Sequence, residues 1–305
     1  KSKKIFFTGG TGMLGKWLLT ALEGHATDIV ILSRDPARFC RAFPLAKAMG
    51  VNFIQGDVRS FEFPNETFDY CIHGATTVTS KVLKSDQELE QQSVIVEGTK
   101  RVLEFAKITN TRRLLYISSG AVYGMQPTKI KSLPETFPCR PTSVYGKAKL
   151  QAEKLCINSP LDCIISRCFA FVGPLIPLNA HFAIGNFVGN CLRNEPIKVK
   201  SDGKSLRSFM YSADLIEWLL TMLVGSEKNE IYNVGSHVPI SILDLAYLVR
   251  NTVGKENLPV IIENNATLSS TAYIPNIEKA IRGLGLDIKI NLENAILKTF
   301  QSYKV

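Results

Sequence analysis

A glycine-rich turn directly after the first apolar run is the feature that most constrains the fold of this 305-residue chain. The stretch "FFTGGTGMLG" (residues 6–15) places Gly9, Gly12 and Gly15 three residues apart, between a strand pattern and a helical pattern. Glycine lets the backbone turn tightly and approach a pyrophosphate, whose charge is met by amide N–H groups at a helix N-terminus. The same spacing occurs in simple turns, but its place between strand and helix favours a dinucleotide-binding site.

Short apolar runs alternate with helical patterns through the first half of the chain. Apolar residues recur every three to four positions in stretches such as 13–24 and 93–108, which predicts helices there. Strands that alternate with helices form parallel sheets, so we predict an α/β fold with a doubly wound parallel Rossmann sheet. The predicted strands are residues 4–10, 28–33, 51–57, 68–75, 113–119 and 162–167.

The pattern changes after about Phe169, where Pro174 and Pro177 interrupt it. We therefore predict a dinucleotide-binding domain over residues 1–168 and a smaller, mainly substrate-binding C-terminal lobe over 169–305. The elements expected in the second half are a helix near 181–193, a strand at 197–200, a helix from about Ala213 with Ser212 as N-cap and Asp214 in its first turn, a return to the sheet at 230–236, and a helix capped by Ser241.

The end of the second strand bears on the choice of cofactor. An NAD site usually places a carboxylate there to bond the ribose hydroxyls, but this chain has Ser33 and Arg34, with Arg38 close behind. A guanidinium suits a 2′-phosphate by charge and by its fork geometry. Alternatively, Arg34 is a solvated surface charge and Asp35 bonds the ribose. We predict that NADP(H) is preferred and that NAD(H) is possible.

Two later strand ends complete the predicted cofactor site. Asp57 follows the third strand, where its carboxylate is placed to contact the adenine amine. Gly74 and Ala75 follow the fourth strand, where their small size leaves room for the cofactor.

Tyr145 and Lys149 are four residues apart in a predicted helix, so they share one helical face. A nearby ammonium favours the phenolate, and we expect Lys149 to bring the pKa of Tyr145 from about 10 toward a working range. The alternative is an aromatic core contact beside a solvated lysine. Ser119 ends the fifth strand at the predicted binding edge, where its hydroxyl can bond a substrate oxygen while Tyr145 moves a proton.

The net charge of +9 favours an anionic partner, but the dense Lys/Arg runs are confined to residues 1–4 and 198–204. A nucleic-acid surface needs clustered basic residues, so we predict a phosphate-bearing small molecule and no nucleic acid. An uninterrupted apolar run of 18 residues, as in a membrane span, is not found, and the first apolar run is too short for a signal peptide.

The seven cysteines are scattered, form no C-x-x-C pair and have no histidine at ligand spacing. We interpret them as reduced, mostly buried thiols in a cytoplasmic protein, and we predict no metal site. They are Cys40, Cys71, Cys139, Cys156, Cys163, Cys168 and Cys191.

The chain resembles the extended short-chain dehydrogenase/reductase family, in its nucleotide-sugar epimerase, dehydratase and reductase group, over nearly its whole length. The stretches that carry this resemblance are "TGGTGMLG", "GD" at 56–57, "HGAT" at 73–76, "EGTKRVLEFA" at 97–106, "ISSGAVYG", "PTSVYGKAKLQAE", "RCFAFVGP", "RSFMYSADL" and "IYNVGS".

The resemblance implies roles for individual residues. Ser119, Tyr145 and Lys149 match the family's catalytic triad, and Arg207 is expected to face a diphosphate, the alternative being a surface salt bridge. It also implies a homodimer that pairs helices at about 85–108 and 143–157. The implied substrate contacts are Ser119, Asn186, Phe187, Arg207 and Tyr211. The expected cofactor contacts are Gly9, Gly12, Met13, Leu14, Gly15, Ser33, Arg34, Arg38, Asp57, Val58, Gly74, Ala75, Tyr145 and Lys149.

Several positions depart from the family pattern. Dehydratases of this group carry an Asp-Glu pair directly after the catalytic hydroxyl, but Gly120 and Ala121 stand here. Ala170 replaces an asparagine of the substrate pocket, and Ile95 replaces a helical asparagine. A late arginine segment is also absent, and "NATLSSTAYIPN" (265–276) takes its place. A 4,6-dehydratase is therefore not expected.

These features together predict an NADP(H)-dependent reductase of a nucleotide-activated 4-keto-6-deoxy sugar. A nucleotide-sugar 4-epimerase with tightly bound NAD is the alternative with the same residues. A non-catalytic NADP(H)-binding sensor is the alternative from another class, although such proteins commonly lose the Tyr-Lys pair.

Overall fold

The structure is a computed structural model that describes residues 2–25, 27–77, 85–180, 182–263 and 271–304. The strands are β1 (Lys3–Thr8), β2 (Thr27–Ser33), β3 (Asn52–Gln55), β4 (Tyr70–His73), β5 (Arg113–Ser119), β6 (Cys163–Cys168), β7 (Phe171–Val172), β8 (Ile197–Val199), β9 (Leu206–Arg207), β10 (Met210–Tyr211), β11 (Ile231–Val234), β12 (Ile240–Ser241), β13 (Val260–Ile262) and β14 (Ala272–Tyr273).

Helices follow most of the strands, and a 3₁₀ turn spans Gly120–Tyr123. The helices are α1 (Met13–Leu22), α2 (Pro36–Ala42), α3 (Leu45–Ala48), α4 (Ser85–Ile108), α5 (Val144–Ile157), α6 (Ala183–Leu192), α7 (Ser212–Gly225), α8 (Ile242–Thr252), α9 (Glu278–Leu284) and α10 (Leu292–Gln301).

The main sheet of the described chain has seven strands in the order β11-β6-β5-β4-β1-β2-β3. Every pairing in it is parallel. The chain runs outward from β1 to β3 on one side and returns to β4 on the other, so the direction of winding reverses beside β1. Open α/β sheets bind ligands at such a reversal, outside the carboxyl ends of the strands. The predicted doubly wound Rossmann sheet is confirmed.

Apolar side chains of the sheet alternate between two helical layers, as the two-residue period of a strand requires. Phe7 and Ile72 pack with Trp218 of α7 on one face. Phe6 packs with Phe105 of α4 on the other, with ring centroids 4.1 Å apart. Both faces are therefore covered, which is the condition under which a parallel sheet is stable.

A separate apolar cluster holds the C-terminal elements together. It is built on α6, α8 and α10 with β8 and β13, and its buried members include Phe187, Val249 and Phe300. The smaller sheets of the described chain are β7–β10, β8–β13 and β12–β9–β14. The division of the chain into residues 1–168 and 169–305 stays a prediction.

The predicted helix caps have mixed outcomes. Ser241 is confirmed as the N-cap of α8, because its hydroxyl accepts a hydrogen bond from the Asp244 amide at 3.0 Å. The prediction for Ser212 is wrong: α7 begins at Ser212 itself, and Tyr211 is the N-cap, without a side-chain hydrogen bond. Asp214 does lie in the first turn. The helix expected near 181–193 begins at Ala183, and residue 181 lies outside the described residues.

All seven cysteines are free thiols, and five of them are buried, as predicted. Among the described helices, none is long and apolar enough to cross a membrane. The same residues contain no group of three His, Cys, Asp or Glu side chains that could hold a metal ion.

Candidate functional site

The glycine turn after β1 takes a conformation that larger residues would not fit. Gly9 has φ +79°, and a Cβ there would lie 2.6 Å from the Gly74 carbonyl at the end of β4. A Cβ on Gly15, in α1, would lie 2.0 Å from the Gly10 carbonyl oxygen. Both contacts are far inside van der Waals distance, so glycine is required at the two positions for the turn to pack against β4 and α1.

A cavity of about 100 Å³ opens beside this turn, at the carboxyl ends of β1, β2, β3 and β4. The side-chain hydroxyls of Thr76 and Thr77 at this cavity are buried and have no hydrogen-bond partner among the residues that the structure describes. Orphaned buried hydroxyls and a glycine turn at a helix N-terminus fit the phosphates and hydroxyls of a dinucleotide. The lining residues are Gly9, Thr11, Leu32, Ser33, Arg34, Gly56, Asp57, Val58, Ala75, Thr76, Thr77 and Val94.

Six of the expected cofactor residues therefore come together at the cavity: Gly9, Ser33, Arg34, Asp57, Val58 and Ala75. Gly12, Leu14 and Gly15 lie in the turn and the start of α1 instead, and Met13 lines a second cleft. Arg38 is exposed on α2. The Gly74 backbone packs against Gly9 of the turn.

The Asp35 side chain is already used in a hydrogen bond at the start of α2. Its carboxylate caps α2 by accepting a hydrogen bond from the Arg38 amide at 2.9 Å, and its own amide bonds the Ser33 hydroxyl at 3.2 Å. The Arg34 side chain is exposed at the cavity and forms no hydrogen bond or ion pair with the described residues. The guanidinium is thus available to a ligand, whereas the carboxylate already serves the helix.

Asp57 lines the cavity as expected but is tied to a residue that the sequence did not single out. Both of its carboxylate oxygens accept hydrogen bonds from the Arg59 guanidinium, at 2.8 and 2.9 Å, and this pairing lowers the pKa of Asp57. Arg59 also donates to Glu90 of α4 at 3.0 Å. The loop after β3 is therefore fixed to α4 with the Asp57 carboxylate ionised.

Ser119, Tyr145 and Lys149 converge at the carboxyl end of β5. Ser119 ends the strand. Its hydroxyl is close enough to the Tyr145 phenol to form a hydrogen bond, which acts to lower the pKa of Tyr145. The Lys149 Nζ atom donates to the Ile117 carbonyl at 2.8 Å and lies 5.9 Å from the centre of the Tyr145 ring. Lys149 is only 2% exposed, so the alternative of a solvated lysine is excluded.

The electrostatics of this cluster differ from the expectation. Burial raises the pKa of Tyr145 to about 12, and the hydrogen bond to Ser119 only partly offsets that effect. Burial lowers the pKa of Lys149 to about 8. The expected lowering of the tyrosine pKa by Lys149 is not found, because the ammonium bonds a backbone carbonyl and desolvation of the phenol dominates.

The low pKa of Lys149 predicts a pH-dependent stability. Between its folded value of about 8 and its ordinary value of 10.5, the unfolded chain binds more protons at this lysine than the folded chain. The free energy of unfolding should therefore rise with pH in that window, by about 3 kcal/mol for this group. Urea unfolding of wild type and Lys149→Met from pH 7 to 10.5 measures it; equal slopes for the two proteins would contradict the burial argument.

A buried ion pair supports the strand and helix that carry the cluster. Arg167 of β6 and Glu153 of α5 are 5% and 1% exposed and approach to 2.7 Å. Glu153 also accepts a hydrogen bond from Ser118, the neighbour of Ser119. Arg167 donates to the Tyr123 hydroxyl at 3.0 Å, which in turn donates to Asn233 of β11 at 2.8 Å. The network links β5, α5, β6 and β11 next to Ser119.

A second cleft, of about 290 Å³, lies between the turn after β6 and the C-terminal lobe. Arg207 is its one charged lining residue among those described, and burial lowers the pKa of its guanidinium. Its Nη1 atom donates to the Thr271 carbonyl at 3.0 Å. The lining residues are Met13, Phe169, Ala170, Phe171, Ile176, Phe182, Ala183, Ile184, Arg207, Phe209 and Ile242.

The other expected substrate residues lie outside this cleft lining. Phe187 is 2% exposed in the core of the C-terminal lobe, because its position on α6 faces inward. Asn186 is partly exposed on the same helix, and Tyr211 ends β10 beside α7. Of that group only Arg207 reaches the cleft, while Ser119 lies at the end of β5. The sequence did not single out Phe169, Arg59, Thr76 or Thr77.

The seven-stranded parallel sheet and the meeting of Ser119, Tyr145 and Lys149 at its carboxyl edge agree with the extended short-chain dehydrogenase/reductase class that the sequence resembles. The chain belongs to the NAD-dependent epimerase/dehydratase family, whose sequence model matches residues 5–235. It is therefore an enzyme of the oxidoreductase type.

Known proteins agree with this assignment. The chain is 25% identical to the dTDP-D-glucose 4,6-dehydratase of Mus musculus over an aligned length of 329 residues, gaps included. The alignment covers 99% of this chain and 89% of that protein. Its fold matches the UDP-glucose 4-epimerase of Thermotoga maritima, solved with UDP-glucose, with a TM-score of 0.85 and 19% identity over 99% of this chain and 98% of the other. A variant of the UDP-glucuronic acid 4-epimerase of Bacillus cereus, solved with NAD and UDP-4-deoxy-4-fluoro-glucuronic acid, gives a TM-score of 0.84 and 22% identity, with 99% of each chain covered.

Proposed function

We propose that this enzyme reduces a nucleotide-activated 4-keto-6-deoxy sugar with NADP(H). The observation that carries the proposal is the meeting of Ser119, Tyr145 and Lys149 beside the dinucleotide cavity, without a carboxylate after Ser119. The relatives named above act on or bind nucleotide sugars. Gly120 and Ala121 lack the acid and base that eliminate water, which favours a reductase over a dehydratase.

The protonation state of the cluster suits reduction. When bound, NADPH supplies the hydride. With a pKa of about 12, Tyr145 is a neutral phenol at pH 7 and can donate its proton to the carbonyl oxygen of the sugar. Ser119 would hold that oxygen by a hydrogen bond, and Lys149 would bond ribose hydroxyls of the cofactor. Arg207 in the second cleft offers a positive charge to the diphosphate.

Consumption of NADPH tests this proposal. UDP-4-keto-6-deoxy-D-glucose and its dTDP counterpart, each mixed with enzyme and NADPH, should oxidise one NADPH for each sugar reduced. An epimerase would instead interconvert UDP-glucose and UDP-galactose without added cofactor. A 4-epimerase is the second candidate, because the two solved structures named above are 4-epimerases of similar fold. Net epimerisation without NADPH oxidation would overturn the reductase proposal.

Arg34 should set the preference for NADPH. Its unpaired guanidinium at the cavity can form charge-assisted hydrogen bonds with a 2′-phosphate. We expect Arg34→Ala to weaken NADPH binding by about 10- to 100-fold and to leave NADH binding unchanged. Calorimetric titration measures both affinities, and Arg41→Ala, which removes an exposed arginine from the helix α2 that follows Arg34, is the matched control. Equal weakening of both cofactors, or of neither, would contradict the assignment.

We also propose a homodimer that pairs α4 and α5 with their copies. These helices pack against each other within the chain, and exposed apolar side chains lie on them: Leu89 (66%), Ile108 (58%) and Ile157 (50%). Sedimentation equilibrium measures the mass directly.

The cytoplasmic location stays a prediction. The sensor alternative is tested by Tyr145→Phe, since ligand binding by a sensor should be indifferent to that change.

A further inference from the structure

Two cysteines come together where the chain passes from α5 to β6. Cys156 lies in the last turn of α5, and Cys163 is the first residue of β6. Their side chains are 0% and 2% exposed and belong to the same apolar cluster. The Ser159 hydroxyl links them, because it donates to the Cys156 carbonyl at 2.8 Å and lies 3.4 Å from the Cys163 sulfur. The two thiols are close enough to form a hydrogen bond with each other.

A third thiol on this face of the sheet, Cys71 of β4, is too far from Cys163 to bond it. Leu114 of β5 is the register partner of both Cys71 and Cys163, so one strand separates the two cysteines. Two strand spacings place their Cα atoms about 10 Å apart, beyond the limit of about 7 Å for a disulfide. Cys156 is therefore the partner that the fold brings to Cys163.

The two thiols differ in acidity. The hydrogen bond from the Cys156 thiol lowers the pKa of Cys163, whereas this hydrogen bond and burial raise the pKa of Cys156. The thiolate is the nucleophile in cysteine chemistry, so Cys163 is the first of the two to react. Solvent is near its sulfur, because Ser159 is partly exposed and lies between the exposed residues Asn158 and Pro160.

We propose that Cys156 and Cys163 are a peroxide-oxidisable pair that forms an intramolecular disulfide and joins α5 to β6. The Cys163 thiolate attacks one oxygen of hydrogen peroxide, the O–O bond breaks, and the hydroxide that leaves takes up the thiol proton as water. The Cys156 sulfur then attacks the sulfur of the Cys163 sulfenic acid. The S–S bond forms, the S–O bond breaks, and a second water carries away the Cys156 proton. Two thiols are thus oxidised, and one peroxide is reduced to two waters.

The disulfide reinforces the attachment of α5, the helix of the proposed catalytic tyrosine and lysine. The Glu153–Arg167 ion pair already connects α5 to β6 toward the carboxyl end of the strand. The Cys156–Cys163 bond adds a connection at the amino end. It closes the short loop of residues 156–163, and the loss of chain entropy in the unfolded state predicts a rise in melting temperature of about 5 °C.

Mass spectrometry of the full-length protein after treatment with hydrogen peroxide tests the inference. Remaining free thiols are alkylated in denaturant, and trypsin then releases both cysteines in one peptide, residues 155–167. We expect this peptide to carry no alkyl group and to be two hydrogen atoms lighter than the reduced form. Dithiothreitol should reverse both this change and the rise in melting temperature. Cys191, a buried thiol of the C-terminal lobe, is the internal control and should stay open to alkylation.

Three variants separate the roles of the two thiols. In Cys156→Ser the Cys163 sulfenic acid lacks its partner thiol, so dimedone should trap it, whereas Cys163→Ser should give no dimedone adduct in this peptide. Cys71→Ser, the matched loss of a buried thiol from the same cluster, should still form the disulfide. Alkylation of both cysteines in the peroxide-treated wild type, or a disulfide that includes Cys71, would overturn the inference. Equal dimedone labelling of the first two variants would overturn the order of reaction.

Discussion

Tyr145→Phe should lower kcat for NADPH-dependent reduction of UDP-4-keto-6-deoxy-D-glucose about a thousandfold, with cofactor affinity unchanged. Removing a general acid costs about two to four powers of ten in rate. The lysine and the serine of the cluster cannot readily replace the phenol, because the Lys149 Nζ bonds the Ile117 carbonyl and the Ser119 hydroxyl is a weak acid. Steady-state rates and a calorimetric titration with NADP⁺ give the two quantities.

Tyr232→Phe is the matched control for this change. Tyr232 lies on β11, is 4% exposed and packs in the layer with Trp218, away from the cluster, so its hydroxyl should not affect the rate. If Tyr145→Phe kept more than about a tenth of the wild-type rate, the assignment of Tyr145 as proton donor would be wrong. The comparison also tests the sensor alternative, because a sensor would show no turnover in the wild type or in either variant.

Arg167→Met should lower the free energy of unfolding by about 3–5 kcal/mol, because it leaves the carboxylate of Glu153 buried without its partner. That is a large part of the stability of an ordinary domain, about 5–15 kcal/mol. The pair is 5% and 1% exposed and is joined to Ser118 and Tyr123. We therefore expect loss of activity to accompany loss of stability, since β5 and α5 carry Ser119, Tyr145 and Lys149, the proposed catalytic residues.

A double-mutant cycle separates the pair from its surroundings. Glu153→Leu with Arg167→Met removes both charges, so it should cost clearly less than the sum of the two single changes. The exposed pair Arg193–Glu195, 47% and 50% exposed, is the control, and its loss should change the free energy of unfolding far less than loss of the buried pair. Urea unfolding at pH 7 measures each variant. Additive costs for the buried pair would contradict the coupling between the two charges.

Local sequence patterns predicted much of the fold for physical reasons. A strand that is buried on both faces is a continuous apolar run, and a turn that approaches another strand needs glycine at Gly9. Tyr145 and Lys149 could be paired from their spacing because a helix fixes which residues share a face. Ser119 could be placed with them because parallel strands end at one edge of the sheet.

Long-range packing decided the features that the sequence did not reveal. The Tyr273 hydroxyl lies beside Gly120, the neighbour of Ser119, although more than 150 residues of chain separate them, and the strand pairing that brings it there is not specified by any local pattern. The Asp57–Arg59 pair depends on where the loop after β3 meets α4. The pKa of Tyr145 is raised where a lowering was expected. The reason is that the amount of water around a phenol depends on the whole fold, not on one neighbouring lysine.

Isotope transfer tests the central claim, that this site delivers a hydride to a sugar carbonyl while Tyr145 supplies the proton. The measurement is mass spectrometry of the sugar nucleotide after reaction of UDP-4-keto-6-deoxy-D-glucose or its dTDP counterpart with NADPH that carries deuterium at both C4 positions of the nicotinamide. The account predicts one deuterium at C4 of the reduced sugar with the wild-type enzyme and almost none with Tyr145→Phe. A reduced sugar without deuterium, or no reduced sugar from either substrate, would contradict it.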